Sequence, residues 1–240
     1  MPRTALIGGT SLLESRRFRN AERRAVATPY GEVHLLFQAG LIFLQRHGLD
    51  AYTPPHRIDH RANMAALQAA GAEQILAVGS VGSLRRDIPP GAVVFPDDFY
   101  APNLAITFHD DFRGHRTPGF AGPWRERLLA LWRQQGLPAP VDGGTYWQTL
   151  GPRFETPAEI RAHQSLVHIV GMTLAAECIL AGELDIPYAA LCMVDNYANG
   201  LTDHPLTYAD FKAQVQTNEQ NLVQGVDGLL SALQQDFASS

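Results

Sequence analysis

The sequence is poor in cysteine, in net positive charge and in long apolar runs, and each shortage removes a class of protein. Only Cys178 and Cys192 occur in 240 residues, both within apolar segments and without CxxC or other metal-type spacing. Buried free thiols in a reducing compartment are therefore expected, rather than a disulfide scaffold or a thiolate metal site. The formal charge of -5 speaks against a general nucleic-acid binder, which needs clustered Lys and Arg. No segment approaches the length of a membrane span. The opening MPRTALIGGT runs into an apolar strand pattern without the basic start and long apolar stretch of a signal peptide. A cytoplasmic protein without membrane partners is the expectation. Internal repeats and low-complexity linkers are also lacking.

What is present is enough apolar matter, 45% of 240 residues, for one sizeable core, and a single domain over 1–240 is expected. Short β-branched runs alternate with longer helical patterns, which indicates an α/β fold with a mixed or mainly parallel sheet covered by helices. Strands are expected at 4–8, 33–38, 41–46, 74–78, 92–96, 145–150, 168–171 and 188–194. Helix signals stand at 60–70, where Asp59 can cap and Gly71 can stop, and after Thr156, whose Pro157 and Glu159 complete a capping box. An apolar helix covers 173–183, and 208–236 has helical spacing that Gly225 and Gly228 would bend or interrupt. The stretch 101–123 has no period, and a loop of that length suggests a lid or binding loop.

Many candidate strands end in chemistry-bearing residues, and open α/β sheets bind ligands outside the carboxyl ends of their strands. Gly8, Gly9 and Thr10 follow the first strand, where glycines leave backbone N–H groups open to an anion. Arg46 and His47 end another strand, a cation beside an imidazole, and Arg suits phosphate oxygens. Gly79-Ser80-Val81-Gly82-Ser83 follows a very apolar strand, its small residues permitting close approach of a ligand. Phe154 and Glu155 precede the capped helix, Met172 and Thr173 open the apolar one, and Asp195-Asn196-Tyr197 ends the last strand. Each alone also reads as an ordinary turn or cap; together, on one sheet edge, they would form a pocket.

These segments, in order, are IGGTSL, TPYGE, RHG, PPH, HRANMAAL, GSVGSL, IPPGAVV, GPRFETPAE and GMTLAAE. The ordered set resembles the trimeric purine nucleoside phosphorylases and methylthioadenosine phosphorylases over nearly the whole chain. The resemblance implies their fold, a single domain with a partly barrel-like mixed sheet flanked by helices, and a homotrimer. It implies phosphorolysis of purine nucleosides, with inorganic phosphate as co-substrate and no other cofactor or metal. It assigns Thr10, Arg46, His47, Ser80 and Thr173 to phosphate, Ser80 through its backbone N–H. It sets Met172 beneath the ribose, and Phe154, Glu155 and Asn196 against the purine, the last two as the catalytic hydrogen-bonding pair.

A 6-oxopurine presents an N1–H donor and an O6 acceptor, which match an ionised Glu155 and the Asn196 amide, whereas adenine reverses the pattern. The adenine-specific members resembled here carry a small hydroxyl residue at the position of Glu155 and Asp at that of Asn196, and a second Asp where this chain has Ala198. Inosine, guanosine or 5′-methylthioinosine is expected ahead of methylthioadenosine. A one-residue slip would put Asp195 in the purine site. Ser11 and the stretch 78–80 depart from the family pattern, which motivates a catalytically silent purine-nucleoside-binding protein as the rival; a hydrolytic nucleosidase is another.

Three further features receive bland expectations. His109, Asp110, Asp111 and His115 sit in a solvated lid, over the nucleoside or crossing to a neighbour, rather than on a metal, with Phe108 and Phe112 as caps for the sugar. Arg16, Arg17, Arg19, Arg23 and Arg24 mark a solvated hairpin rather than an RNA patch. Glu177 receives no catalytic role.

Overall fold

The computed structural model of the chain describes residues 3–9, 12 and 18–238, the last three by backbone alone. The alternating pattern resolves into strands β1 (Thr4–Gly8), β2 (Glu22–Thr28), β3 (Gly31–Gln38) and β4 (Leu41–Gln45), then helix α1 (His60–Ala69) and the long strand β5 (Gln74–Ser83). There follow β6 (Val93–Phe95), β7 (Asp98–Tyr100), α2 (Pro123–Arg133), β8 (Val141–Asp142), β9 (Thr145–Gln148) and α3 (Pro157–His163). The chain ends with β10 (Ile169–Gly171), α4 (Leu174–Glu183), β11 (Tyr188–Tyr197) and α5 (Tyr208–Ala238).

All these strands belong to one mixed sheet, with β5 as its hub. β11 runs parallel to β5 along one edge, from residue 75 to residue 83. The other edge is shared: β1 pairs in parallel with residues 74–77, and β10 pairs antiparallel with residues 82 and 83. Between them the sheet forks, and the edge of β5 at residues 78–81 has no strand beside it among the described residues. β6 pairs with β11 and β8, while β7 pairs with β9 and β9 with β10. β6 and β7 are one extended run broken at Pro96 and Asp97, and β8 and β9 are one broken at Gly143 and Gly144. The pairings thus return from β11 to β5, so this part of the sheet closes as a barrel.

Strand alternation divides the core between the two faces. Ala5, Ile7, Ile75 and Ala77 pack with Met64 and Leu67 of α1 and Leu174 and Leu180 of α4. Their neighbours Leu6, Leu76 and Val78 pack with Leu128 and Trp132 of α2 and Leu222 and Leu229 of α5. Each such buried leucine contributes on the order of 1.5–3 kcal/mol. Both cysteines lie in this core as separate thiols.

Several elements differ from expectation. β5 does not stop at residue 78; the small-residue segment read as a loop is strand to Ser83, because β11 supplies a partner along its length. β11 likewise extends beyond residue 194 to Tyr197, with a bulge at Asp195 that shifts its register. β2, β7, β8 and α2 were not expected. β2 is exposed along most of its length and so lacks the apolar signature of a strand, and the others are short or follow loop-like composition. α5 passes unbroken through Gly225 and Gly228, where a Cβ would collide with Trp132 and Gln135 of the layer beneath. These glycines accommodate packing; they do not interrupt the helix.

The 101–123 stretch is not a lid over its own chain's cavity. Thr107 Oγ1 and the Phe108 amide donate to the two Glu183 carboxylate oxygens, both at 2.6 Å, and Phe108 packs on Tyr30. The stretch therefore lies against the end of α4 and the β2–β3 hairpin, with Phe112 80% exposed. On that hairpin Arg23 pairs with Asp50 and Arg24 with Glu22, on the solvent side. Arg16 and Arg17 lie outside the described residues.

Candidate active site

The sheet fork opens onto a cavity of about 420 Å³. Its lining includes Gly9, Arg46, His47, Ser80, Phe154, Glu155, Met172, Thr173 and Asn196, so every expected site residue that is described reaches one chamber. Thr10 lies outside the described residues, one position beyond Gly9.

Arg46 emerges at the end of β4, where Gly8 and Gln45 are paired and the Arg46 amide donates to the Gly8 carbonyl at 3.1 Å. Its side chain is not free. Nε and Nη2 donate to Glu177 Oε1 and Oε2 at 2.6 and 2.9 Å, and Nη1 donates to the Val78 carbonyl at 2.6 Å. That carbonyl stands on the unpaired edge of β5. Backbone groups of alternate strand residues share an edge, so those of Ser80 emerge beside it, into the fork. The Ser80 hydroxyl is turned elsewhere, donating to Asp195 Oδ2.

His47 Nδ1 lies 2.8 Å from the Thr53 carbonyl, which only accepts, so this nitrogen carries the proton. Burial pushes the imidazole down to about 4, against the raising effect of that bond. At neutral pH the ring is uncharged, with Nε2 as an acceptor, and its face stacks on Tyr52 at 5.2 Å.

Thr173 is the N-cap of α4 but does not cap it with its side chain. The first-turn amides find other partners: those of Thr173 and Leu174 donate to the Tyr146 hydroxyl, and that of Ala176 to Gln148 Oε1. The Thr173 hydroxyl is thereby left to the cavity, at the positive end of a helix dipole.

Farther along β5, Gly82 faces the purine-side candidates. The bulge at Asp195 advances the register so that Asn196, not Asp195, stands opposite Gly82. Asn196 Nδ2 lies 3.0 Å from where a Gly82 Cβ would be, so a larger residue would press on the amide. One N–H of that amide donates to the Tyr197 carbonyl at 2.9 Å, leaving the second. Asp195 turns away, buried, and accepts from Asn218 of α5 at 2.7 Å. The bulge removes the register ambiguity that adjacent Asp and Asn created.

Glu155 sits before α3, whose start is held by the capping box of Thr156 and Glu159. Burial pushes the Glu155 carboxyl above its usual range, and the Thr149 hydroxyl, donating at 2.7 Å, opposes this in part. Asn199 donates to the Glu155 carbonyl and accepts from the Leu206 amide, both at 2.8 Å, tying this turn to the approach of α5. Phe154 meets Phe211 of α5 with ring centroids 5.8 Å apart. Met172 packs against Gly151 and lines the cavity.

Sequence reasoning missed the mouth of the cavity. Tyr52, Pro54, Pro55, Tyr208 and Phe211 line it, and nothing about aromatic and proline residues in a loop and at a helix start singles them out before folding. Glu177 had a detectable signal: it falls one helical turn after Thr173, on the same face.

The phosphorylase superfamily matches residues 3–231. A probable 6-oxopurine nucleoside phosphorylase of Dictyoglomus turgidum is 42% identical over 219 residues, covering 87% of this chain and 83% of its own. A probable S-methyl-5′-thioinosine phosphorylase of Methanothermobacter thermautotrophicus is 37% identical over 239 residues, covering 95% of this chain and 83% of its own. In fold, the chain is similar to methylthioadenosine phosphorylase from Schistosoma mansoni, with a TM-score of 0.83 at 24% identity over 97% of this chain and 92% of the other. The chain belongs to the phosphorylase superfamily, with purine nucleoside phosphorylases among its relatives.

Proposed function

We propose that the protein cleaves the N-glycosidic bond of 6-oxopurine nucleosides, inosine, guanosine or 5′-methylthioinosine, by attack of inorganic phosphate. One observation carries the assignment: the anion-type groups at residues 46, 80 and 173 and the purine-type groups at 155 and 196 line a single chamber. The two sets are separated along β5, Gly82 lying about 7 Å beyond Ser80 and about 13 Å beyond Val78 at strand rise, which suits phosphate and base on opposite sides of a sugar. Relatives described as 6-oxopurine and S-methyl-5′-thioinosine phosphorylases support the base preference.

Arg46, the Ser80 amide and the Thr173 hydroxyl hold phosphate, together with Thr10. Neutral His47 accepts a hydrogen bond from the anion's own hydroxyl. Met172 underlies the ribose and Phe154 stacks on the purine. Phosphate oxygen bonds to C1′ as the bond from C1′ to the purine breaks, and the bonding electrons pass to the base. The protein supplies no nucleophile; its work is orientation and charge stabilisation. Glu155 accepts from N1–H, and the remaining Asn196 N–H donates to the purine as its negative charge grows.

This proposal requires no metal or further cofactor. A homotrimer in the cytoplasm and one domain over 1–240 complete it; the family match across residues 3–231 supports the last. Among the described residues no helix is long and apolar enough to cross a membrane. The test is a panel of inosine, guanosine, adenosine, 5′-methylthioinosine and 5′-methylthioadenosine, each with and without phosphate. Phosphate-dependent release of hypoxanthine or guanine is expected. Preference for methylthioadenosine, full-rate cleavage without phosphate, or binding without turnover would instead establish the methylthioadenosine phosphorylase, the nucleosidase or the silent binder.

A further inference from the structure

Given Arg46 as a phosphate ligand, we infer that Glu177 is a positioning residue for the phosphate half of the reaction, clamping the Arg46 guanidinium so that its remaining N–H groups face the cavity. The two side chains come from the turn after β4 and from α4 and are each 1% exposed. The pair is bidentate, with Nε–Oε1 at 2.6 Å and Nη2–Oε2 at 2.9 Å, and Nη1 is tied to the Val78 carbonyl. Three of the five guanidinium N–H groups are thereby used; one on Nη1 and one on Nη2 remain.

Neighbours leave the guanidinium no second seat. Nη1 lies 2.6 Å from where a Cβ on Gly9 would stand, so only glycine lets the loop after β1 lie against it. Glu177 is itself held, because the Tyr188 hydroxyl donates to Oε2 at 2.8 Å. Burial pushes the Glu177 carboxyl up, but adjacent Arg46 outweighs this and keeps it below its usual range, hence ionised. His60 Nδ1, buried and without a hydrogen-bond partner among the described residues, is 4.0 Å from Oε1 and adds no competing bond.

Glu177 has two opposed effects on an incoming phosphate. Its charge offsets that of Arg46 and weakens the long-range pull, while its geometry presents the donors. Geometry dominates, because bidentate recognition depends on the plane of the fork, which the pair with Glu177 fixes.

The test is steady-state kinetics of Glu177→Gln, Glu177→Asp and Tyr188→Phe, varying phosphate at saturating inosine and then the reverse. Glu177→Gln keeps shape but sets an amide donor against a guanidinium donor. Its KM for phosphate should rise about tenfold, the worth of one weakened hydrogen bond and less than removal of Arg46 itself, with the KM for inosine unchanged. Glu177→Asp, which keeps the charge, should recover part of the loss, and Tyr188→Phe should show a smaller rise of the same kind. An unchanged or lower phosphate KM in Glu177→Gln, or equal changes in both KM values, overturns the inference. If Glu177→Gln does not fold, Tyr188→Phe decides, an unchanged phosphate KM counting against the clamp. Arg46→Ala separates the two levels: no effect on phosphate KM removes Arg46 as a ligand, whereas a large effect alongside silent Glu177 variants removes only the clamp.

Discussion

The two ends of the cavity are built differently. At the phosphate end, Arg46 and Glu177 are both buried and paired, and their partners come from strands and a helix start deep in the sheet fork. At the purine end, Glu155 is buried without a charged partner among the described residues, and Phe154 and Asn196 are only half-buried and stand on a turn and a bulge. That turn is tied through Asn199 and Phe211 to α5, whose Tyr208 is 68% exposed. The contrast follows from what each end must do. An oxyanion common to every turnover is best held by preorganised donors in a low-dielectric setting, and a buried charge pair is strongly destabilised if one member is lost. Base selection uses side chains that are exchangeable without unfolding the sheet.

The largest break in this contrast is expected from Arg46→Ala. It removes the charged phosphate donor and leaves Glu177 buried without its cation, which costs about 3–5 kcal/mol. The KM for phosphate should rise by about 100-fold, and thermal or denaturant melting should fall in the same variant. Normal phosphate saturation in a folded Arg46→Ala protein would place the anion elsewhere.

Asn196→Asp should cost about 1–3 kcal/mol of stability, because the bond to the Tyr197 carbonyl is lost, while reversing a donor at the base. A tenfold or larger shift toward 6-aminopurines is expected, since a mismatched hydrogen bond in a buried site costs about 1–3 kcal/mol. Relative rates with inosine and adenosine are the measurement, and constancy of their ratio would remove Asn196 from base recognition.

Glu155 provides a pH test confined to the purine end. Burial raises its carboxyl above the ordinary range, so as pH falls it gains a proton while a solvated glutamate would still be ionised. The acceptor for N1–H is lost on that acidic limb, and kcat/KM for inosine should drop about tenfold across it, the worth of one charge-assisted bond. Glu155→Gln should abolish the limb; its persistence would assign it to another group.

Thr156→Ala should have the smallest effect. It removes half of the capping box that holds α3 next to Glu155, at about 1 kcal/mol of stability. A modest rise in the KM for inosine, with phosphate KM unmoved, would show that the purine turn is held separately from the fork.

The local signals proved legible where a residue's role depends on its near neighbours. The Asp59 and Thr156 caps and the strands at β1, β4 and β9 follow from composition and spacing, whereas the grouping of Arg46, Thr173, Glu155 and Asn196 into one site was implied by the family resemblance. Other features depend on partners distant in sequence. Ser80 lies within a strand because β11 lies beside it, and α5 is continuous because Trp132 and Gln135 occupy the space above its glycines. The 101–123 stretch lies away from the cavity because Glu183 takes its donors.

Hydrophobic periodicity and cap chemistry, both local, were enough by themselves to determine an α/β chain with polar strand ends, and the motif order determined the family. Three things were decided only by the tertiary structure: the sheet fork between β1 and β10, the bulge that turns Asn196 inward and Asp195 away, and the pairing of Arg46 with Glu177 131 residues later. Each depends on which edges and charges meet across the fold, and buried charges seek partners by proximity in space rather than along the chain.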